Sequence, residues 1–170
     1  MNFLEAFTKT MNYWISSVSN YSLAELQARP DTKSWSLGQV YYHLIEETVW
    51  YCQQIEKCFT NQMNTQEVMT EKARLMFATN EFPDIRIVGD PFISDKVPQP
   101  ESVEQLVRDM EQLKADVLTL YARVKENTKG KSKHPGLGYF SASEWFQYIE
   151  MHMRHHMRQK ARLDFYLGKP

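Results

Sequence analysis

The sequence is poor in cysteine, which limits the kinds of metal and redox sites that it can build. Its 170 residues include two cysteines, Cys52 and Cys58, and no C-x-x-C pattern joins them. Disulfide scaffolds and zinc ribbons need more cysteines at closer spacings, so we expect neither. We interpret both side chains as packed thiols, because unpaired cysteine behaves as a small apolar residue.

Long apolar runs and a surplus of positive charge are also absent. No apolar run approaches the roughly 20 residues that span a bilayer, and the opening MNFLEAFTKT lacks the basic and apolar regions of a signal peptide. The 20 Lys and Arg residues are balanced by 21 Asp and Glu residues, whereas proteins that bind nucleic acid usually carry a basic surplus. We therefore expect a cytoplasmic protein that acts on a small molecule, without a nucleic-acid or membrane partner.

Long amphipathic segments are what the sequence does contain. Four segments place apolar residues three or four positions apart, the pattern of a helix with one buried face. They are residues 2–18, 36–59, 102–126 and 141–167. Ser36, Ser102 and Ser141 begin the last three, each with Gln or Glu three residues later, which is a helix start signal. The chain is long enough for one core, so we predict a single all-α domain over residues 1–170, a four-helix bundle.

The connections between these helices differ in length. Residues 60–100 separate the second and third long helices and are predicted to form a long crossing connection, in which residues 66–78 can be helical. Four prolines lie in or just before its IRIVGDPFISDKVPQP stretch, so this part is expected to be irregular. A short helix is predicted over residues 21–29. Residues 127–138 are polar, basic and glycine-rich, which predicts a loop.

Histidines occupy the core-facing side of the last predicted helix. Three of the five lie in HMRHHMRQ, residues 152–159. His152 and His156 are four residues apart, one turn of helix, so both rings can bind one metal ion. At about 100° per residue, the stripe that carries them consists of Trp145, Ile149, His152, His156, Gln159 and Leu163.

A fourth histidine lies on the inward stripe of the second long helix. That stripe consists of Val40, His43, Glu47, Trp50 and Gln54. Three imidazoles from two helices can meet in a bundle interior and leave a coordination position open. Buried unpaired imidazoles are costly and protonated ones repel one another, and a metal ion removes both costs. We hypothesise that His43, His152 and His156 bind a metal as neutral rings; the alternative is a hydrogen-bonded layer of polar side chains.

Glu47 lies one turn from His43 on the same face. It is predicted to be catalytic and to assist proton transfer; the alternatives are a residue that orients a ligand, a fourth ligand, or a carboxylate paired with Lys or Arg.

Gln159 either hydrogen-bonds to a histidine or packs in the core. His155 either lines the pocket or lies at a helix interface, and we favour the interface. The basic side chains predicted to form a solvated face are Arg154, Arg158, Lys160 and Arg162.

Two motifs taken together carry a resemblance to a known family. The run WSLGQVYYHL is followed about a hundred residues later by HPGLGYFSASEW and by H-x-x-H-H-x-x-Q. This combination resembles the DinB/YfiT superfamily, above all its members with an HP-x-x-G-x-x-[ST]-x-x-EW lead into the last helix. The resemblance covers essentially the whole chain, although residues 60–100 match only in being long.

The resemblance implies a four-helix bundle, commonly dimeric, with a divalent metal, often nickel or zinc. It places the three ligands at His43, His152 and His156, and gives His134 a turn or pocket-rim position without ligation. Some members of the superfamily use low-molecular-weight thiols as co-substrates in S-transfer or isomerisation. We therefore expect a homodimer with a divalent metal and a thiol as a candidate co-substrate.

The residues and the resemblance together predict a metal-dependent enzyme. The ion would activate water or a small thiol, as in a hydrolase or an S-transferase, with Glu47 in proton transfer. Trp50, Tyr148 or the long crossing would shape an apolar pocket. The alternatives are a non-catalytic bundle that binds a metal or a small molecule, and a helical interaction module without metal. The metal affinity is expected to fall below about pH 6, as imidazoles protonate.

Overall fold

The computed structural model describes residues 3–60, 62–84, 96–124 and 129–169. Six helices and a two-stranded sheet lie in these ranges. In chain order they are α1 (Phe3–Val18), α2 (Leu23–Gln27), α3 (Leu37–Thr60), α4 (Glu71–Thr79), α5 (Val103–Val124), β1 (Lys131–His134), β2 (Gly138–Ser141) and α6 (Ala142–Tyr166). The four long helices α1, α3, α5 and α6 lie where the amphipathic segments predict them.

The predicted start signals act as helix caps. At Ser141 the side chain accepts from the backbone N–H of Glu144, and the Glu144 carboxylate accepts from the Ser141 backbone N–H, a complete capping box. At Ser36 the hydroxyl accepts from the Gln39 N–H at 3.2 Å, while Gln39 Oε1 accepts from the Ser36 N–H at 3.1 Å. Such caps satisfy backbone groups that have no partner within the helix, and so fix where α3 and α6 begin.

The four long helices enclose one hydrophobic core. α3 packs along α6, α1 lies against α5 and α6, and α5 completes the bundle against α3. Trp14 and Tyr41 meet edge-on in this core with ring centroids 5.0 Å apart, and their polar atoms donate to the backbone carbonyls of Met153 and Trp14. The predicted all-α four-helix bundle is confirmed.

The predicted loop over residues 127–138 is wrong for its second half. Lys131–His134 and Gly138–Ser141 form an antiparallel hairpin. The strand sequence KSKH has no alternation of apolar and polar residues, so nothing local indicated a strand. The hairpin also pairs with residues before α4, because a bridge joins Met69 to Gly138. Gly138 has φ +85 and a Cβ there would lie 2.7 Å from the Val68 carbonyl oxygen, so the position requires glycine.

The described part of the crossing consists of α4 and the residues around it. α4 starts later than the predicted residue 66, at the Thr70 cap, and ends at Asn80 with φ 54. From there residues 80–84 lie against α6, where Phe82 is buried. The predicted irregular stretch over residues 85–95 lies outside the described residues. Within the described ranges, no helix is long and apolar enough to cross a membrane.

Candidate metal centre

Three histidines from two helices meet in the bundle interior. His43 comes from α3, and His152 and His156 come from consecutive turns of α6. The ring centroids are 5.2 Å apart for His43 and His152, 4.8 Å for His43 and His156, and 4.6 Å for His152 and His156. One nitrogen of each ring lies within 4.8 Å of the other two. The structure therefore brings together the three side chains that the sequence proposes as ligands, in a group that can hold a metal ion.

The two Nε2 atoms of the pair on α6 have a spacing that suits either a hydrogen bond or a shared metal ion. The His156 Nδ1–H donates to Gln159 Oε1 at 2.9 Å, which leaves a lone pair on His156 Nε2. That lone pair faces His152 Nε2 at 3.1 Å. Two nitrogen ligands of a tetrahedral zinc ion lie about 3.3 Å apart, given bonds of about 2.0 Å. The spacing of the two Nε2 atoms therefore suits a shared ion.

One ring nitrogen of His152 has no hydrogen-bond partner among the described residues. Its Nδ1 is buried, and none of the described residues gives it a hydrogen-bond partner. Because His156 Nε2 holds a lone pair, a metal-free neutral His152 would have to donate from Nε2 and leave the Nδ1 lone pair unpaired. An unpaired buried polar atom costs about 1–3 kcal/mol. A metal on Nε2 would leave an Nδ1–H at the same place, so this atom does not distinguish a metal from the hydrogen-bonded polar layer.

Burial keeps all three rings neutral. His152 is 6% and His156 9% exposed, and His43 is half-buried. Burial, with the neighbouring His155, lowers the pKa of His43 to about 4. Burial and then His43 lower the pKa of His156 to about 3, and burial and then His156 hold the pKa of His152 well below its usual range. Neutral imidazole is the form that binds metal, so these low pKa values keep the three rings in the binding form at neutral pH.

An aromatic shell surrounds the three rings. Its members contact the histidines at centroid distances between 4.9 and 6.4 Å and are Trp35, Tyr51, Phe82 and Tyr148. Trp50 lies one layer further out, against Tyr51, Trp145 and His134. Of the residues proposed to shape an apolar pocket, Tyr148 is therefore closer to the histidines than Trp50. An apolar shell lowers the local dielectric and strengthens electrostatic interactions inside it.

Glu47 lies beside the tyrosines of this shell. It is half-buried on α3 and is not a member of the three-histidine group. Burial, then Tyr148 and Glu47, raise the pKa of Tyr51, and the contribution of Glu47 includes a hydrogen bond. Across the described residues no Lys or Arg pairs with Glu47, so the alternative of a simple ion pair gains no support. Its role in catalysis remains a prediction.

The family assignment rests on a match over most of the chain. A family model described as the DinB superfamily matches residues 6–159. The chain belongs to the DinB superfamily. The matched range contains all three histidines and ends at Gln159. No curated protein matches the chain. The resemblance carried by the sequence motifs is thus confirmed, and it agrees with a three-histidine group that can bind a metal.

The basic residues of this DinB protein do not form the predicted solvated face. Lys160 is 5% exposed and donates to Asp164 Oδ2 and Tyr21 Oη, both at 2.7 Å. Arg154 and Arg158 are half-buried and donate to the backbone carbonyls of Asn80 and Phe82. Arg162 alone of the four is exposed. The prediction failed because segments distant in sequence, residues 80–84 and the α1–α2 region, cover this side of α6.

The remaining histidines and the two cysteines lie outside the three-histidine group. His155 stacks on Phe82, which follows α4, and its ring also lies 5.2 Å from that of His156; the favoured placement at a helix interface stays a prediction. His134 lies in the hairpin and hydrogen-bonds to Tyr148, a contact that sequence reasoning missed. Burial raises the pKa of Cys52 to about 12 and also raises the pKa of Cys58. Both thiols therefore stay protonated, as packed thiols should.

Proposed function

We propose that this protein is a metal-dependent enzyme in which His43, His152 and His156 hold one divalent ion, nickel or zinc. The observation that carries the proposal is the convergence of three neutral imidazoles, two of them buried and one half-buried, in one group. Among the residues that the structure describes, no fourth Cys, His, Asp or Glu joins the group. This supports a site with an open position, as in catalytic zinc sites, over a closed site that only fastens the bundle.

The ion would supply Lewis-acid chemistry, lowering the pKa of water or of a low-molecular-weight thiol so that either becomes a nucleophile near neutral pH. The raised pKa values of Cys52 and Cys58 support a nucleophile that comes from outside the chain. Glu47 would accept the proton that the nucleophile loses. The aromatic shell gives the three rings an apolar surrounding. The thiol, like a homodimeric state, is supported by the family resemblance alone.

The test uses untagged protein loaded with zinc or nickel and two assays. An aryl ester reports on water as nucleophile, and an alkyl halide with a panel of small thiols reports on S-transfer. We expect turnover in one assay that a chelator abolishes and added metal restores. Glu47→Gln should keep its metal and lose about 100-fold or more in rate, the usual contribution of a general base. Glu46→Gln, at the neighbouring exposed carboxylate, is the matched control and should keep the rate. Absence of metal-dependent turnover in both assays would contradict the proposal.

A further inference from the structure

The hairpin fixes the hydrogen of His134 on one ring nitrogen. The backbone N–H of Gly136 donates to His134 Nδ1 at 3.1 Å. A backbone N–H can only donate, so Nδ1 holds a lone pair and the neutral ring carries its hydrogen on Nε2. The Tyr148 hydroxyl lies 3.1 Å from this Nε2. His134 is therefore the donor in that contact, and the Tyr148 oxygen is the acceptor.

A carboxylate fixes the direction of hydrogen bonding on the neighbouring helix. Glu47 and Tyr51 are four residues apart on α3, so their side chains lie on consecutive turns of one helix face. The two side chains hydrogen-bond to each other. An ionised carboxylate has no hydrogen to give, so Tyr51 is the donor. The only hydrogen of the Tyr51 hydroxyl is thereby used.

The two tyrosines connect the hairpin with the carboxylate. Their rings meet edge-on with centroids 5.3 Å apart, and their hydroxyls hydrogen-bond to each other. Tyr51 has given its hydrogen to Glu47, so towards Tyr148 it can only accept. Tyr148 accepts from His134 and still has its own hydrogen to give. Both ends thus impose the same direction, and a continuous chain of donors runs from the backbone of Gly136 to Glu47.

This chain lies among aromatic rings. Tyr51 is 3% and Tyr148 is 5% exposed, and the Trp145 ring stacks on both Tyr51 and His134. In surroundings of low dielectric, successive hydrogen bonds polarise and strengthen one another. The packed rings and the hydrogen bonds together restrict the rotation of every side chain in the chain, including the carboxylate at its end.

We propose that His134, Tyr148 and Tyr51 are positioning residues that hold the Glu47 carboxylate in place as the general base of the three-histidine site. The inference rests on the proposed function, in which Glu47 accepts the proton of the nucleophile. A general base must lie within hydrogen-bond reach of the proton that it removes. Because a carboxylate has about four acceptor positions, the bond from Tyr51 orients Glu47 and leaves it able to take that proton.

The first test needs no metal. Nitrogen-15 NMR of the metal-free protein distinguishes the neutral tautomers of His134, because protonated and bare ring nitrogens resonate far apart. We expect the hydrogen on Nε2. A hydrogen on Nδ1 would reverse the contact with Tyr148 and would overturn the inference, whether or not the protein binds a metal.

The second test, also on the metal-free protein, asks whether separate members of the chain are coupled. Tyr148→Phe and Glu47→Leu break the same chain, so the change in Tm of the double variant should differ from the sum of the two single changes. In the control pair, Tyr42→Phe with Glu47→Leu, the tyrosine hydroxyl lies on the α5 side of α3 and the changes should add. Additive changes in both pairs would overturn the inference.

The third test uses the zinc-loaded protein in the assay that shows turnover. Tyr51→Phe should keep its zinc and its KM and lose about 10-fold or more in kcat, the usual effect of losing a hydrogen bond to a charged group. In Glu47→Gln, where the base is already absent, the same substitution should cost nothing further, because residues that act as a unit are not additive. Loss of zinc from Tyr51→Phe, or a further loss of kcat in the double variant, would overturn the inference.

The role of His134 has its own rescue variant. His134→Leu removes the donor and should lower kcat without changing KM, whereas His134→Gln keeps an N–H donor and should restore part of kcat. Equal losses in both variants would show that His134 only packs in the hairpin. If neither assay shows turnover, the proposed function fails, and the tautomer and the melting temperatures still decide whether the chain of hydrogen bonds reaches Glu47.

Discussion

Two buried polar clusters lie on successive turns of α6, and they are built in opposite ways. The tether cluster consists of Lys160, Asp164 and Tyr21. Its ammonium donates to the carboxylate and to the phenol oxygen, and the phenol donates back to the carboxylate. Its charges are paired and every group has a partner, so nothing further is needed to complete it. It joins the end of α6 to the region between α1 and α2.

The three-histidine group is buried to a similar degree but is left incomplete. All its rings are neutral, two Nε2 atoms face each other at 3.1 Å, and His152 Nδ1 has no partner within the described residues. Folded proteins rarely leave buried polar atoms unpaired. The two clusters show two uses of buried polarity: the tether cluster is complete by itself, and the histidine group can hold a metal ion.

The two clusters should differ most strongly in how they make the stability of the protein depend on pH. The folded-state pKa values of the histidines lie below the unfolded value of about 6.5, so only the unfolded chain gains protons as the pH falls below 6.5. Stability of the metal-free protein should therefore be complete above pH 6.5 and fall towards pH 4 and below, by about 1.4 kcal/mol per pH unit for each histidine that stays neutral in the fold. Thermal unfolding across this range measures it.

The control for acid sensitivity is the double variant His152→Leu with His156→Leu, in which the thermal stability should depend less on pH. Lys160→Met combined with Asp164→Leu should leave the dependence as it is. An equally steep dependence in the histidine double variant would show that other groups carry the acid sensitivity.

Breaking the tether cluster should give the next largest effect. Asp164→Ala leaves the Lys160 ammonium buried and unpaired, which costs about 3–5 kcal/mol and lowers Tm by roughly 10 °C for a chain of this length. Zinc content should not change, because the tether cluster contributes no ligand. Replacing both charges, as Lys160→Met with Asp164→Leu, should recover most of the stability. A Tm for Asp164→Ala equal to that of wild type would contradict the structural role.

The smallest expected effect comes from Gln159, which orients a ring of the histidine group. Gln159→Leu removes the acceptor of the His156 Nδ1–H, and loss of such an outer partner typically weakens metal binding about 10- to 100-fold. Competition with a zinc chelator measures the change. The control is Gln147→Leu on the same helix, whose amide contacts Asn80. Equal zinc affinities for wild type and Gln159→Leu would mean that the hydrogen bond does not orient the ring for binding.

The long helices were predictable because their signals are local. The caps at Ser36 and Ser141, together with the apolar stripes, place α3 and α6 within about two residues of their observed bounds. The pairing of His152 with His156 follows from helical geometry alone. The approach of His43 depends on α3 packing along α6, which the inward stripe and the family resemblance predicted together.

The missed features depend on partners distant in sequence. Lys160 and Asp164 are four residues apart and resemble an ordinary surface pair, and only the packing of Tyr21 against them makes the cluster buried. The contact of His134 with Tyr148 likewise depends on the hairpin, whose strands have no apolar alternation. Sequence patterns report which face of a helix is apolar, and they do not report which distant segment covers the polar side.

The most direct test of the account is the metal content of protein purified without a histidine tag, after dialysis against zinc and removal of the excess. Wild type and His155→Ala, whose ring lies beside the group without belonging to it, should each hold about one zinc ion per chain. His43→Ala, His152→Ala and His156→Ala should hold almost none. Equal zinc content in all five proteins would contradict the claim that these three histidines form the metal site.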